Sequence, residues 1–257
     1  MTVSTHLILI HGAWAGPWVW EAVTEPLNAK GIRTHAVTLP GVGSWVPDEE
    51  IGLDDLVAAV LDRIDGLDGT LVLVGHSGGG IVATQVAERI PERIAGIVYV
   101  AGMMLPAGMS YGDLCADIGI GAAVGVGPYL RGTADGRGSV VPPEAAASIF
   151  FHLADPKVAI AAANRLVPQM DTARLIAPTW TPERSGDLPR LYIEALQDRS
   201  LPLAVQRRMQ ELSRGAEVAA LDADHAPQLS RPDQLATVLA SFATALDTTA
   251  DRTGTRK

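Results

Sequence analysis

A serine that a neighbouring base could activate is the first chemical signal in the sequence. Ser77 is the central residue of Gly75-His-Ser-Gly-Gly79, which fits the pattern G-x-S-x-G. The apolar run Leu71–Val74 directly precedes this motif, and the helical pattern Gly79–Ile90 directly follows it. Small residues around a serine between a strand and a helix are typical of a sharp turn that exposes the hydroxyl at the end of a sheet. We therefore predict that Ser77 is a nucleophile.

A serine hydroxyl is a poor nucleophile until a base takes its proton. His225 follows the predicted strand Glu217–Leu221, and Asp198 follows the predicted strand Leu191–Leu196. The carboxyl ends of parallel strands meet at one edge of the sheet, which is the edge where ligands bind. We therefore predict that His225 is the general base for Ser77 and that Asp198 orients its imidazole ring.

The negative charge that develops on an attacked carbonyl oxygen needs fixed N–H donors. We predict that one donor of this oxyanion hole is the backbone N–H of Gly78, the residue directly after the serine. We predict that the other donor is the N–H of Ala13, in the turn His11-Gly-Ala-Trp14 after the first strand. Gly12 has no side chain, so the backbone of this turn can approach the site closely. Apolar side chains near this edge are predicted to line the substrate pocket: Trp14, Met103, Met104, Leu105 and Cys115.

Short apolar runs alternate with helical patterns along most of the chain. The predicted strands are Thr5–Ile10, Arg33–Thr38, Leu71–Val74, Ile94–Ala101, Leu191–Leu196 and Glu217–Leu221. The predicted helices are Trp18–Lys30, Leu53–Leu67, Gly79–Ile90, Leu203–Leu212 and a last helix that starts with a capping box at Ser230–Asp233 and ends near Leu246. Fully apolar strands that alternate with helices indicate a six-stranded, mostly parallel sheet with helices on both faces.

This alternation fails over residues 105–188, which are too many for a loop. The segment has a Gly-rich half, Gly119 to Gly138, and a helical half, Pro142 to Gln169. We predict that residues 105–188 form a mobile cap over an α/β core made of residues 1–104 and 189–247. The polar tail of residues 248–257 is expected to be flexible.

Composition excludes several classes of protein. Of the 257 residues, 47% are hydrophobic and 19% are charged, which excludes a disordered chain or a coiled coil. A net charge of −9 argues against nucleic acid or an anionic membrane as partner. The single cysteine, Cys115, excludes an intramolecular disulfide and a multi-cysteine metal site. The sequence has no signal-peptide pattern, so we expect a cytoplasmic protein. We expect it to use no cofactor or metal. Its assembly into a homodimer is left as a possibility.

These motifs together resemble the α/β-hydrolase superfamily, whose catalytic residues follow the order serine, acid, histidine. More narrowly, they are similar to the branch of plant methylesterases, hydroxynitrile lyases and bacterial esterases. The resemblance rests on Leu9-Ile-His-Gly-Ala13, Trp18-Val-Trp20, Gly75-His-Ser-Gly-Gly79, Tyr99-Val-Ala101, Gln197-Asp198, Asp224-His225 and the cap segment Phe150–Gln169.

Hydroxynitrile lyases of this branch carry Lys after the catalytic His, Glu before the nucleophile and Thr after the first strand's His. This sequence has Ala226, His76 and Gly12 at those places, so the resemblance favours ester hydrolysis. We predict a serine hydrolase that cleaves a small to medium apolar or aromatic carboxylic ester through an acyl-enzyme. Two alternatives stay open: a carbon–carbon lyase or cyclase using the same triad, and a ligand-binding receptor with residual hydrolase activity.

Overall fold

A computed structural model describes residues 4–45, 48, 50–120 and 124–253. Its strands are β1 Thr5–Ile10, β2 Arg33–Ala36, β3 Thr70–His76, β4 Ile94–Val100, β5 Arg131–Gly132, β6 Gly138–Val140, β7 Gln169–Met170, β8 Arg190–Ala195 and β9 Glu217–Leu221. Six of them form one sheet in the order β2-β1-β3-β4-β8-β9. Every pair in that sheet is parallel, which confirms the predicted fold class.

The strands at the centre of the sheet are apolar because both of their faces are covered. All six residues of β1 are buried, and Leu71–Val74 of β3 are 0% exposed. Alternate residues point to opposite faces, so Ile8 and Ile10 pack into one core and Leu7 and Leu9 into another. Burying each such side chain contributes about 1.5–3 kcal/mol, so the sheet supplies a rigid frame for the loops at its edge.

The helices lie on both faces of this sheet. Their bounds are α1 Glu21–Asn28, α2 Leu53–Ile64, α3 Gly79–Arg89, α4 Tyr111–Asp117, α5 Pro143–Ile149, α6 Pro156–Ala163, α7 Leu203–Leu212, α8 Pro227–Ser230 and α9 Pro232–Thr253. One core contains side chains of α2, α3 and α7, and the other contains side chains of α1 and α9. None of the helices in the described part of the chain combines the length and the hydropathy that a membrane span needs.

Three predicted helix features are wrong. The first predicted helix divides into a 3-10 turn, Pro17–Trp20, and α1. The last helix begins at Pro232 and continues past Leu246 to Thr253, while residues 254–257 of the predicted tail lie outside the described part. At the predicted capping box, Ser230 is the last residue of α8, and its hydroxyl donates to Asp224 Oδ1 at 2.8 Å. A buried carboxylate is a stronger acceptor than most, so it takes this hydroxyl.

The segment of residues 105–188 contains more regular structure than its composition indicates. Strands β5, β6 and β7 form a small antiparallel sheet, so the Gly-rich half carries a hairpin. Residues 121–123 of that half lie outside the described residues. The helical half is divided in two, since Pro156 starts α6 after a turn that follows α5. Trp14 ties this segment to the sheet edge, with Nε1 donating to Ser139 O at 3.1 Å.

Candidate active site

Ser77 lies on a strained turn between β3 and α3. Its φ is +52°, a left-handed conformation that costs a non-glycine residue roughly 1–2 kcal/mol. Glycines make this turn sterically feasible, because a Cβ on Gly75 would lie 2.5 Å from Gly79 O. A Cβ on Gly79 would likewise lie 2.5 Å from Ile10 O. The sequence therefore folds into a turn that lifts the serine hydroxyl above the carboxyl edge of the sheet.

The structure brings the three predicted triad residues into one hydrogen-bonded chain. His225 Nδ1 lies 2.8 Å from Asp198 Oδ2, and His225 Nε2 lies 3.1 Å from Ser77 Oγ. A carboxylate can only accept, so Nδ1 carries the proton and Nε2 is free to accept one. Asp198 Oδ1 also accepts from the N–H groups of Ser200 at 2.7 Å and Leu201 at 2.9 Å. This arrangement can remove the proton of Ser77 as its oxygen attacks.

Backbone pairing beyond the strand ends holds the acid and base loops together. Leu196 N donates to Leu221 O at 3.0 Å, and Gln197 N donates to Ala223 O at 2.9 Å. These bonds continue the β8–β9 ladder past the last strand residues. Asp198 and His225 therefore leave adjacent strands side by side, which fixes the distance between their side chains.

Two further rings enclose the His225 imidazole. The Phe150 ring centroid lies 5.3 Å from it, and the His76 ring centroid lies 4.9 Å from it. His76 Nε2 lies 2.7 Å from His225 O, so His76 donates to that carbonyl. Burial first, and the nearby His225 ring second, lower the pKa of His76 to about 3, so His76 is neutral at pH 7. His76 is thus a packing and hydrogen-bonding residue of the site.

The two predicted oxyanion donors have no acceptor within the part of the chain that the structure describes. The N–H groups of Ala13 and Gly78 are free of protein partners, and both residues line the cavity above Ser77. Gly78 immediately precedes α3, whose N-terminal end attracts negative charge. Beside Ala13, His11 is buried and has its pKa lowered to about 4 by burial, so its ring is neutral and accepts from Leu39 N.

A cavity of about 750 Å³ opens above Ser77 between the sheet edge and residues 105–188. This volume lies within the range of about 300–1,000 Å³ that is typical of ligand pockets. The lining is predominantly apolar, with Val82, Ile120, Leu130, Phe150 and Phe151 among its members. Burial of a neutral apolar ligand is therefore favoured, and Ser77 and His225 supply the reactive end of the cavity.

Three of the five predicted pocket residues line this cavity: Trp14, Met103 and Cys115. The predictions for Met104 and Leu105 are wrong, because these side chains are buried in the core with 2% and 1% exposure. Met103 N donates to Ser77 O at 2.8 Å, which holds Met103 against the turn. The chain then passes beneath Trp180, whose Nε1 donates to Leu105 O at 2.9 Å.

Two polar residues of the cavity wall, Arg174 and Gln169, have no signal in the sequence that predicts them. Arg174 is the one Lys or Arg among the described lining residues, and it pairs with Asp171 at 2.7 Å. Its guanidinium also lies 5.3 Å from the Trp14 ring. Gln169 holds the same tryptophan by accepting from Trp14 N at 3.2 Å. Neither residue belongs to a sequence motif, because the tertiary fold brings both of them to the site.

Within the described residues, no group of three or more His, Cys, Asp or Glu side chains is arranged to hold a metal ion. Cys115, the one cysteine of the chain, is buried as a free thiol on the cavity wall. The Ser77 hydroxyl and the His225 imidazole lie together at the reactive end of this cavity.

The chain is similar to known proteins over almost its whole length. A pyrethroid hydrolase of Sphingobium wenxiniae is 31% identical over 262 residues, covering 95% of this chain and 89% of that protein. Methylesterase 7 of Arabidopsis thaliana is 30% identical over 255 residues, covering 92% of this chain and 95% of that protein. The crystal structure of a pyrethroid hydrolase superimposes with a TM-score of 0.82 at 28% identity, covering 94% of this chain and 98% of that one.

These relatives are named as esterases or hydrolases, which supports a carboxylic ester hydrolase and gives less support to the lyase alternative. They also match the branch that the motifs resemble. The model of the Alpha/beta hydrolase family matches residues 7–238. The chain therefore belongs to the alpha/beta hydrolase family.

Proposed function

We propose that this protein is a serine hydrolase of carboxylic esters, with Ser77 as nucleophile, His225 as general base and Asp198 as the acid that orients the base. The observation that carries the proposal is the hydrogen-bonded chain from Ser77 Oγ to His225 at 3.1 Å and on to Asp198 at 2.8 Å. The serine end of this row of hydrogen bonds faces an apolar cavity that can hold the ester. The named esterases among the relatives support the same chemistry.

The proposed reaction has two acyl-transfer steps. Ser77 Oγ attacks the ester carbonyl carbon while His225 Nε2 accepts its proton, and the N–H groups of Ala13 and Gly78 hold the oxyanion. When the oxyanion collapses, the carbon–oxygen bond to the alcohol breaks and His225 returns the proton to the departing alcohol. Water then attacks the acyl-enzyme with His225 again as base. His225 returns that proton to Ser77 Oγ as the acyl–Oγ bond breaks, and the acid leaves. Protein groups and water supply every proton.

The substrate that fits best is a neutral ester with an apolar or aromatic body. The apolar wall of the cavity disfavours a charged substrate because a desolvated charge needs a partner there. Arg174 is the one guanidinium or ammonium group among the described lining residues, and Asp171 already pairs with it. The relatives named as a pyrethroid hydrolase and a methylesterase suggest two ester types for the first tests.

We further propose that residues 105–188 act as a cap over a core of residues 1–104 and 189–247. Side chains of this segment form much of the cavity wall, including Tyr111, Val126 and Phe151. A cytoplasmic location is the simplest proposal for a chain whose one cysteine is a buried free thiol. Its proposed partner is a small-molecule ester, and assembly into a homodimer is left as a possibility.

The test is a screen with p-nitrophenyl acetate, butyrate and benzoate, followed by labelling with a fluorophosphonate. In the labelling reaction Ser77 Oγ forms a bond to phosphorus and fluoride leaves. We expect ester turnover above the uncatalysed rate, and mass spectrometry should locate one phosphonyl group on Ser77. A protein that binds the esters, turns none over and takes no label would favour the receptor alternative.

A further inference from the structure

Asp224 precedes His225 directly, yet its carboxylate contacts other groups than the imidazole. Oδ2 accepts from Leu153 N at 2.8 Å, while Oδ1 accepts from Ser230 Oγ at 2.8 Å and from Ala226 N at 3.2 Å. The residue is 0% exposed. One buried carboxylate therefore joins the cap segment on one side to the chain that follows His225 on the other.

None of these three donors is a cation. Burying a carboxylate is costly unless hydrogen bonds replace its water, and three donors do this for Asp224. A neutral apolar side chain would fill the same place without that cost, but it would leave the donors unsatisfied. The charge at Asp224 thus serves to hold its three partners at fixed distances.

The cap partner of Asp224 belongs to the turn that carries the aromatic wall of the cavity. Leu153 lies two residues after Phe151, and the rings of Phe150 and Phe151 both line the cavity. The Phe150 ring also packs on the His225 imidazole, with centroids 5.3 Å apart. Fixing the N–H of Leu153 therefore fixes the wall that faces both the substrate and the general base.

The backbone of His225 is held from the opposite side as well. His76 Nε2 donates to His225 O at 2.7 Å, and His76 belongs to the strand that leads to Ser77. The base is thus fixed to the nucleophile turn through His76, and the residues after it are fixed to the cap through Asp224.

We propose that Asp224 is a positioning residue that sets the His225 imidazole and the Phe150–Phe151 wall relative to each other. This inference rests on the proposed ester hydrolase function. Oδ1 holds the chain that carries the base, so it governs turnover of every ester. Oδ2 holds the wall, so it governs how well a bulky acyl group is bound.

Asp224→Asn tests this proposal with little change in volume. The amide keeps one acceptor oxygen, but its NH2 group faces an N–H or O–H donor on one side. With p-nitrophenyl acetate we expect kcat to fall about 10- to 100-fold, because small misplacements of a catalytic group have effects of that order. With p-nitrophenyl benzoate we expect KM to rise in addition, so the preference between the two esters changes.

Two matched variants separate positioning from general damage. Asp222→Asn is the same substitution at an exposed residue that accepts from Gln197 Nε2 at 3.1 Å, and it should leave kcat and KM unchanged. Ser230→Ala removes one donor to Oδ1 and leaves the bond to Leu153, so it should lower kcat for both esters without changing their KM ratio. Melting curves of all variants show whether each is folded.

Wild-type kcat and KM for both esters in Asp224→Asn would overturn the inference. If that variant does not fold, Ser230→Ala decides: an unchanged kcat, or a changed KM ratio, overturns the inference. The failure of the proposed function is a separate result, since it would appear as an absence of ester turnover in the wild-type protein.

Discussion

Gly12 lies directly against Ser77 at the carboxyl edge of the sheet. A Cβ placed on Gly12 would lie 2.8 Å from Ser77 Cβ and 3.3 Å from Ser77 Oγ. Real Cβ atoms rarely approach another carbon this closely, so any side chain at position 12 must displace the nucleophile or the loop after β1. The glycine that separates His11 from the proposed oxyanion donor Ala13 thus also defines the space of the serine side chain.

Gly12→Ala is expected to lower kcat for p-nitrophenyl acetate by about 10-fold or more, since the added methyl group pushes Ser77 Oγ away from its attack position. Gly132→Ala is the matched control, because a Cβ on Gly132 meets nothing within 4 Å and Gly132 is not among the residues that line the cavity. That control leaves Ser77 and both proposed oxyanion donors unchanged, so it should retain the turnover of the wild type. Steady-state kinetics of the two variants check this, and equal activities would contradict the steric argument.

Ser77→Ala is expected to lower kcat for esters by about 10⁴-fold or more, because it removes the attacking oxygen. The fold should persist, since alanine is no larger than serine. We also expect a melting temperature no lower than that of the wild type. Ester kinetics with the purified variant check the prediction, and residual turnover above a few per cent would show that another group is the nucleophile.

The meeting of the three proposed triad residues at one edge could be predicted from the sequence because each of them follows a strand of the parallel sheet. Ser77, Asp198 and His225 come after β3, β8 and β9, and a parallel sheet places those strand ends at one edge. Their order along the chain then leaves one acid and one base for the serine. Local patterns were sufficient for the residues that do the proposed chemistry.

The walls of the cavity depend on contacts between distant parts of the chain, so local patterns could not predict them. Met103 and Met104 are neighbours of the same type, yet only Met103 lines the cavity. The bond from Trp180 Nε1 to Leu105 O, which sets the path of this loop, joins residues 75 positions apart. The same holds for Asp224, whose partner Leu153 lies 71 positions away.

Buried histidines predict a loss of stability in mild acid. Burial lowers the pKa of His11 to about 4 and that of His76 to about 3, from an ordinary value of 6.5. Below pH 6.5 the unfolded chain binds protons that the folded protein does not bind. The free energy of unfolding should therefore fall as the pH drops from 6.5 to about 4, by roughly 1.4 kcal/mol per pH unit and histidine.

Urea unfolding at pH 7.5, 6.0 and 5.0 measures this dependence. His11→Asn keeps a polar side chain at the position but removes one titrating group, so its free energy of unfolding should fall less steeply with decreasing pH. Above pH 7 the contribution of both histidines is constant. The same slope in His11→Asn and in the wild type would show that burial does not lower the pKa of His11.

Hydrogen exchange is expected to distinguish the Gly-rich part of the cap from the sheet. Many residues between Val124 and Gly138 are exposed, whereas Leu71–Val74 lie in the middle of the sheet and are fully buried. Amides of residues 124–138 should exchange faster than those of Leu71–Val74 by orders of magnitude. Helix α5 in the same cap is the internal reference and should exchange at an intermediate rate. Equal protection in all three segments would argue against a mobile cap.

The absence of useful cyanohydrin cleavage is the remaining prediction. A hydroxynitrile lyase must stabilise departing cyanide, and a cation beside the catalytic histidine does so in a site of low dielectric constant. Here the residue after His225 is Ala226, which is 1% exposed and lines the cavity. Arg231, five residues further on, donates to Ser230 O at 2.7 Å.

Among the described residues that line the cavity, the cation is Arg174, which is paired with Asp171 at 2.7 Å and lies over the Trp14 ring. A guanidinium whose charge is already balanced offers little stabilisation to a leaving anion near His225. We therefore expect cyanide release from mandelonitrile to stay at the uncatalysed rate, while p-nitrophenyl acetate is hydrolysed under the same conditions. Ala226→Lys is the informative variant, because it places an ammonium beside the histidine. Efficient cyanide release by the wild-type protein, with negligible ester turnover, would put the lyase reaction ahead of ester hydrolysis.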